Sequence, residues 1–267
     1  VGLEDLSDAL GNWAGSPSWL ETARKHYAEW NETVDQHSGP TNEVPPSYAQ
    51  VVGAINRICD NTDLALTAAG GLPGELCKNW KTRSIGTFDC EFGFSCMGYE
   101  IAGGWGAKMA NPSRDVIVFV GDGSYLMLNS DIYSTVLTGH KMIVIVCDNG
   151  GFSVINRLQN FKGSASFNNL LQDCKVENLQ GVDFVQHATS MGALGEHVES
   201  TTGLEAAFKR AKAADRTYVI CIKTKPSQWT PGDAWWDVGV PEVSDREEVR
   251  QARADHTEGQ KRQRLGV

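Results

Sequence analysis

The chain has 267 residues, enough for one or two domains with a substantial core. Its 41% hydrophobic and 21% charged content is that of a globular protein, and a net charge of −9 argues against a nucleic-acid partner. No apolar run approaches the roughly 20 residues of a membrane helix. The seven cysteines form no CxxC pair and the six histidines no HExxH pattern, which argues against a disulfide framework and against zinc. With no leader-like opening, a cytoplasmic location is expected.

Residues 1–15 carry no clear periodic pattern. Ser16 to Gln36 reads as an amphipathic helix, with Ser16 as a cap, Pro17 at its first position, and Trp19, Ala23, Tyr27 and Trp30 at helical spacing. Residues 1–42 are therefore expected to be a connecting segment. A domain spanning 43–228 follows, opening with a helix from Pro46 to Cys59 and a strand near Asp63 to Ala69. Gly70 to Cys77 is a glycine-rich stretch, either a phosphate cradle or a plain strand-to-helix turn. Gly98 to Met109 reads as a helix whose small residues permit close packing on a sheet. Its Gly104-Trp105-Gly106 lacks the third glycine of a dinucleotide fingerprint and precedes a strand, so an NAD site is not expected.

The central stretch is Val116 to Phe152. Val116 to Val120 is an apolar, β-branched and aromatic run typical of a strand buried on both faces. It ends in Gly121-Asp122-Gly123, where the backbone can approach a ligand closely. A single helix (Leu128, Ile132, Val136) closed by Gly139 is expected next. A second buried strand, Met142 to Cys147, then delivers Asp148-Asn149-Gly150-Gly151. In such a β-α-β unit the strands run parallel, so Asp122 and Asn149 share one edge. A carboxylate, an amide oxygen and a backbone carbonyl are hard donors suited to Mg²⁺, which keeps positions open for phosphate oxygens. The amides of Gly123 and Ser124 would face the same phosphate with a helix dipole behind them.

Phe152 to Lys175 is polar, with a short helix at Ser153 to Gln159. Helices at Asp183 to Met191 and Thr202 to Ala214, and strands at His197-Val198 and Tyr218 to Lys223, complete an alternating pattern. That alternation predicts an α/β fold: an open, doubly wound parallel sheet with helices on both faces. The last part, 229–267, places Trp229, Trp235 and Trp236 beside turn residues. It is either an aromatic clasp on the sheet edge or a cap over a cleft and a partner chain. A charged helical arm from Asp245 to Arg264 follows.

GDG, then helix, strand and Asn, resembles the signature of the thiamine diphosphate (ThDP) dependent enzymes. The resemblance implies that Asp122, Asn149 and the Gly151 carbonyl hold the metal that anchors the cofactor diphosphate. The usual Asn-Asn pair is here Asp148-Asn149, a departure at the residue that is not the ligand. Gly93 to Gly98 is similar to the family segment whose apolar side chain wedges under the cofactor, and Met97 matches that wedge. By position, Gly71 and Leu72 match the loop that touches the diphosphate, with Gly121, Gly123 and Ser124 beside it. Phe152 and Asn156 fall where the family borders its substrate.

CDNGGFSVINRLQ and WWDVGVPEVS resemble the family's ring-opening members. These imply a polyol-derived cyclic 1,2-dione as substrate and 5-deoxyglucuronate as product, in myo-inositol catabolism. Competing expectations are a carboligase or decarboxylase of the acetolactate synthase type and a flavodoxin-like binding or regulatory module. Family catalysis also needs a Glu from a separate pyrimidine-binding domain. Glu75, Glu91 and Glu100 are not read as substitutes, because this domain faces the other end of the cofactor. The chain is therefore expected to be the C-terminal, diphosphate-binding part of a longer enzyme or a separate subunit, inactive alone. The missing domain would lie in the same or a partner chain, within a homo-oligomer.

Overall fold

The computed structural model describes residues 2–175, 181–233 and 237–263. Trp235, Trp236 and Arg264 lie outside the described residues. The chain divides into two compact units, Val1–His37 and Ser38–Val267. The first holds α1 (Gly2–Leu10), which the sequence pattern does not announce, and α2 (Pro17–Ser38), opened by Pro17 as expected.

The second unit starts with α3 (Tyr48–Ile58). Its N-terminus is fixed by a capping box in which Ser47 Oγ accepts the Gln50 N–H and Gln50 returns to the Ser47 N–H. The elements then follow as β1 (Leu64–Thr67), α4 (Gly71–Asn79), β2 (Phe88–Cys90), α5 (Tyr99–Ala110) and β3 (Val116–Gly121). After them come α6 (Asp122–Met127), α7 (Asp131–Thr138), β4 (Ile143–Asp148), α8 (Ser153–Phe161), α9 (Phe184–Ser190) and β5 (Leu194–Val198). The chain continues through α10 (Thr201–Ala213), β6 (Tyr218–Lys223) and α11 (Glu247–Arg262).

The six strands form one sheet in the order β2-β1-β3-β4-β6-β5, and every pairing is parallel. Alternate strand residues face opposite layers. Ile117, Phe119, Ile143, Ile145, Ile220 and Ile222 pack with α3, α4 and α10; Val116, Val118, Val120, Val144, Val146 and Val219 pack with α5, α7 and α9. Two-sided burial explains the unbroken apolar runs of β3 and β4. Gly104 lets α5 close on the sheet, since a Cβ there would stand 2.5 Å from Val118 Cγ2.

One alternative is borne out, one expectation is corrected and one strand was not expected. Gly70 to Cys77 is a strand-to-helix turn that passes at once into a helix: α4 starts at Gly71, with Pro73 in its first turn, where a missing N–H costs nothing. The single helix after Gly123 is two helices, separated at Leu128–Ser130, and Gly139 closes only the second. Strand β2 has no counterpart in the sequence reading. It is three residues long and half-buried at the sheet margin, too short and too polar to show a pattern.

The chain runs from β1 out to β2 and then back across to β3. The strand order therefore reverses between the carboxyl ends of β1 and β3, the point at which an open parallel sheet usually takes its ligand.

Candidate functional site

Asp122 follows β3 directly and starts α6, buried at this carboxyl edge. Its Oδ2 accepts the Gly151 N–H at 2.7 Å, which ties the turn after β3 to the turn after β4. Burial, and then the nearby Asp148 carboxylate, push the Asp122 carboxyl up to about 6. The chain supplies it with amide donors from Gly151 and Gly123 rather than with a lysine or arginine.

Asn149 is held from one side only. Its Nδ2 donates to the Tyr48 hydroxyl and to Ser153 Oγ. Its Oδ1 is buried and has no hydrogen-bond partner among the described residues. A buried carbonyl oxygen left without a donor is costly in a folded protein. The Asn149 oxygen lies on the same carboxyl edge as the buried Asp122 carboxylate, and both are hard oxygen donors of the kind Mg²⁺ takes, so the residue types present fit the metal of the resemblance. Asp148, the departure from the usual Asn pair, accepts the Gly150 N–H at 3.0 Å and pairs with Lys223, its register mate on β6.

Gly151 touches Asp122 through its amide; the carbonyl was the atom expected to act. Its φ of +137° and the Asn169 carbonyl, 2.5 Å from where a Cβ would stand, require glycine. The turn is zipped to a neighbouring strip by Phe152 N–H to Asn169 O at 2.7 Å and Leu171 N–H to Gly150 O at 2.8 Å. The Phe152 ring lies over Gly123. Asn156 Oδ1 is also buried without a partner among the described residues.

The helix-dipole expectation at Gly123 and Ser124 is weakened, because α6 has only six residues. Ser124 instead uses its side chain, hydrogen-bonded to Glu100 at 2.8 Å. Met97 is half-buried and precedes Gly98, a left-handed residue (φ +97°) packed against Leu128. Gly71 and Leu72 open α4 at the end of β1, but the Leu72 side chain is core, leaving its backbone for any ligand. The described residues form three linked groups. Asp122 joins Gly151; Asn149 joins Tyr48 and Ser153; Ser124 joins Gly98.

Sequence reasoning missed Tyr48 and Ser153, and it offered a clasp around Trp229 without its partners. The Trp229 ring fills the space beside Gly71, meets Tyr48 edge-on at 5.9 Å and lies under the Arg157 guanidinium at 4.9 Å. Glu75, which burial pushes up, accepts the Thr230 hydroxyl at 2.6 Å and its amide at 3.2 Å. Asp233 is held by Lys78 at 2.5 Å and by Arg157. This part of the tail is thus a clasp on α4 and α8. A polar anchor flanking a tryptophan was the available signal.

These features describe a parallel α/β domain with buried polar atoms, unpartnered among the described residues, at the carboxyl edge of its sheet. Residues 68–222 match the family model for the C-terminal TPP-binding domain of thiamine pyrophosphate enzymes, and the chain belongs to that family. A 3D-(3,5/4)-trihydroxycyclohexane-1,2-dione hydrolase of Bacillus thuringiensis (strain Al Hakam) is 36% identical over 262 residues, covering 93% of this chain and 41% of the relative. One of the same name from Geobacillus thermodenitrificans (strain NG80-2) is 33% identical over 282 residues, covering 94% and 44%. The chain thus spans about two-fifths of the length of these curated relatives. Among solved structures, a ThDP-dependent 4-hydroxybenzoylformate decarboxylase of Rhodococcus jostii RHA1 superposes with a TM-score of 0.62 at 20% identity. It covers 69% of this chain and 34% of that one, a likeness of fold. Among the described residues, no helix is long and apolar enough to cross a membrane.

Proposed function

We propose that this chain is the ThDP- and Mg²⁺-binding portion of a cytoplasmic, homo-oligomeric hydrolase. Its substrate would be 3D-(3,5/4)-trihydroxycyclohexane-1,2-dione, opened to 5-deoxyglucuronate in myo-inositol catabolism. The observation that carries the substrate class is the 36% identity to hydrolases of that name along 93% of the chain. A carboligase would use the same cofactor residues, but no feature of this chain favours it.

The Asp122 carboxylate and Asn149 Oδ1 would hold the metal, with the Gly151 carbonyl as third ligand. Backbone groups of Gly121, Gly123 and Ser124, and of Gly71 and Leu72 after β1, would flank the diphosphate. Met97 would support the ring beneath. When bound, ThDP supplies a nucleophilic carbon and an electron sink for C–C cleavage. This chain's residues bind and orient; the proton-moving Glu is assigned to a pyrimidine-binding domain in the same longer chain or a partner.

The test is an assay of the full-length gene product with the cyclic dione and with pyruvate, beside the 267-residue chain alone. Ring opening of the dione, no turnover of pyruvate and an inactive isolated chain are expected. Turnover of pyruvate without the dione would sink the substrate assignment, and an active isolated chain would sink the two-domain reading.

A further inference from the structure

One buried acid has no part in the metal site. Glu100, in the first turn of α5, is fully buried. Its Oε2 accepts the Gly98 N–H at 2.9 Å, and its Oε1 accepts the Ala69 N–H at 3.5 Å. The Ser124 hydroxyl lies 2.8 Å from both carboxylate oxygens and itself accepts the Gly98 N–H at 2.8 Å.

These donors come from three separate segments. Ala69 belongs to the turn after β1, Gly98 follows Met97, and Ser124 follows Asp122 and Gly123. One side chain therefore spans the point where the strand order reverses. We propose that Glu100 is a positioning residue for the cofactor: it holds the Ala69–Gly71, Met97–Gly98 and Asp122–Ser124 turns at the spacing that ThDP requires. This rests on the reading of this edge as a ThDP site.

The choice of an acid has a physical reason. Two of the groups facing Glu100 are backbone N–H donors and the third, the Ser124 hydroxyl, donates to it while accepting the Gly98 N–H; an ionised carboxylate accepts from all three without donating. A glutamine there would set its NH₂ group against the Gly98 or the Ala69 amide N–H, donor against donor. The start of a helix also favours negative charge. Burial pushes the Glu100 carboxyl above the ordinary glutamate value, and the bonds from Ser124, Gly98 and Ala69 counter that push. An apolar side chain would avoid the carboxylate's desolvation cost but would leave the buried Ala69 N–H without its acceptor. What the carboxylate adds is a fixed distance between turns. Gly98 cannot relax independently, because its left-handed backbone is wedged against Leu128.

The experiment is a calorimetric titration of the full-length gene product with ThDP in excess Mg²⁺, for wild type, Glu100→Gln, Ser124→Ala and the double variant. Each single change is expected to raise the ThDP Kd about tenfold. The double variant should bind no more weakly than the worse single, because both changes cut one network. Melting curves of the cofactor-free proteins run alongside: a merely structural role would lower Tm and leave the Kd of the folded protein unmoved. An unchanged Kd in either single variant, or losses that add, would overturn the inference. If Glu100→Gln fails to fold, Ser124→Ala decides by itself, since it removes one oxygen and keeps the backbone. Failure of the wild type to bind ThDP would instead sink the cofactor reading, and the wild-type titration separates that result from the other.

Discussion

At the amino ends of the strands, Lys212 reaches Asp63 at 2.7 Å, Asp115 at 3.4 Å and also Asp60. Lys141 Nζ donates to the Lys212 and Ala214 carbonyls at 2.7 and 3.1 Å, and Lys108 Nζ donates to the Arg114 carbonyl at 2.6 Å. At the carboxyl ends the treatment of polar groups is the opposite. Asn149 Oδ1 is buried with no partner among the described residues, and Asp122 is buried with amides for company. Burial lowers the affinity of Lys212 for its proton, and the hydrogen bonds to Asp60 and Asp63 more than restore it. Among the described residues no cation does the same for Asp122, whose carboxyl is pushed up to about 6. At the amino ends the chain itself supplies partners for the lysines and for Asp63, leaving His140 Nδ1 as a buried atom without a partner among the described residues. The carboxyl ends keep polar atoms whose natural completion is a ligand, and that is where function is expected.

The largest effect is expected at Asp122. Asp122→Ala should weaken ThDP–Mg²⁺ binding by at least about a hundredfold in a calorimetric titration, since loss of a ligand exceeds the loss of its supporting bonds. The cofactor-free Tm should change little, because relief of the buried carboxylate's desolvation offsets the loss of the Gly151 N–H bond. A large drop in Tm with unchanged affinity would erase the contrast between the two ends.

Lys212→Met should do the reverse. It leaves the buried Asp63 without its cation, at a cost of about 2–3 kcal/mol, below the fully buried figure because Lys212 is partly exposed. Urea unfolding would read that loss, and the ThDP affinity of the folded protein should stay within about twofold, as expected for distant sites. A matching loss of affinity would mean the two ends are coupled.

The smallest effect is in the pH dependence. The Lys212 hydrogen bond holds Asp60 below its ordinary value. A depressed carboxylate binds its proton more weakly when folded, so its contribution is present above the ordinary aspartate value of about 3.9 and is lost as pH falls through the lower folded value. Urea midpoints measured from pH 6 down to pH 3 should therefore fall less steeply below about pH 4 in Lys212→Met than in wild type. Equal slopes would show that the Asp60 pair contributes nothing measurable.

The local pattern of the chain was enough for the parallel sheet, because two-sided burial writes continuous apolar runs at Val116–Val120 and Ile143–Cys147. It was also enough to put Asp122 and Asn149 on one edge, since parallel strands present both carboxyl ends together. Tertiary structure decided the rest. Asn149 is turned by a hydroxyl on Tyr48, a residue far away in sequence. Glu100 collects donors from turns after two different strands. Trp229 returns from the tail to lie against Gly71. Such contacts join residues with no periodic relation, so no spacing records them. The same holds for β2, which is a strand because β1 leaves an edge for it to pair with. Hydrophobic period is a local property of the chain, whereas the partners of a buried polar atom are set by how the layers close.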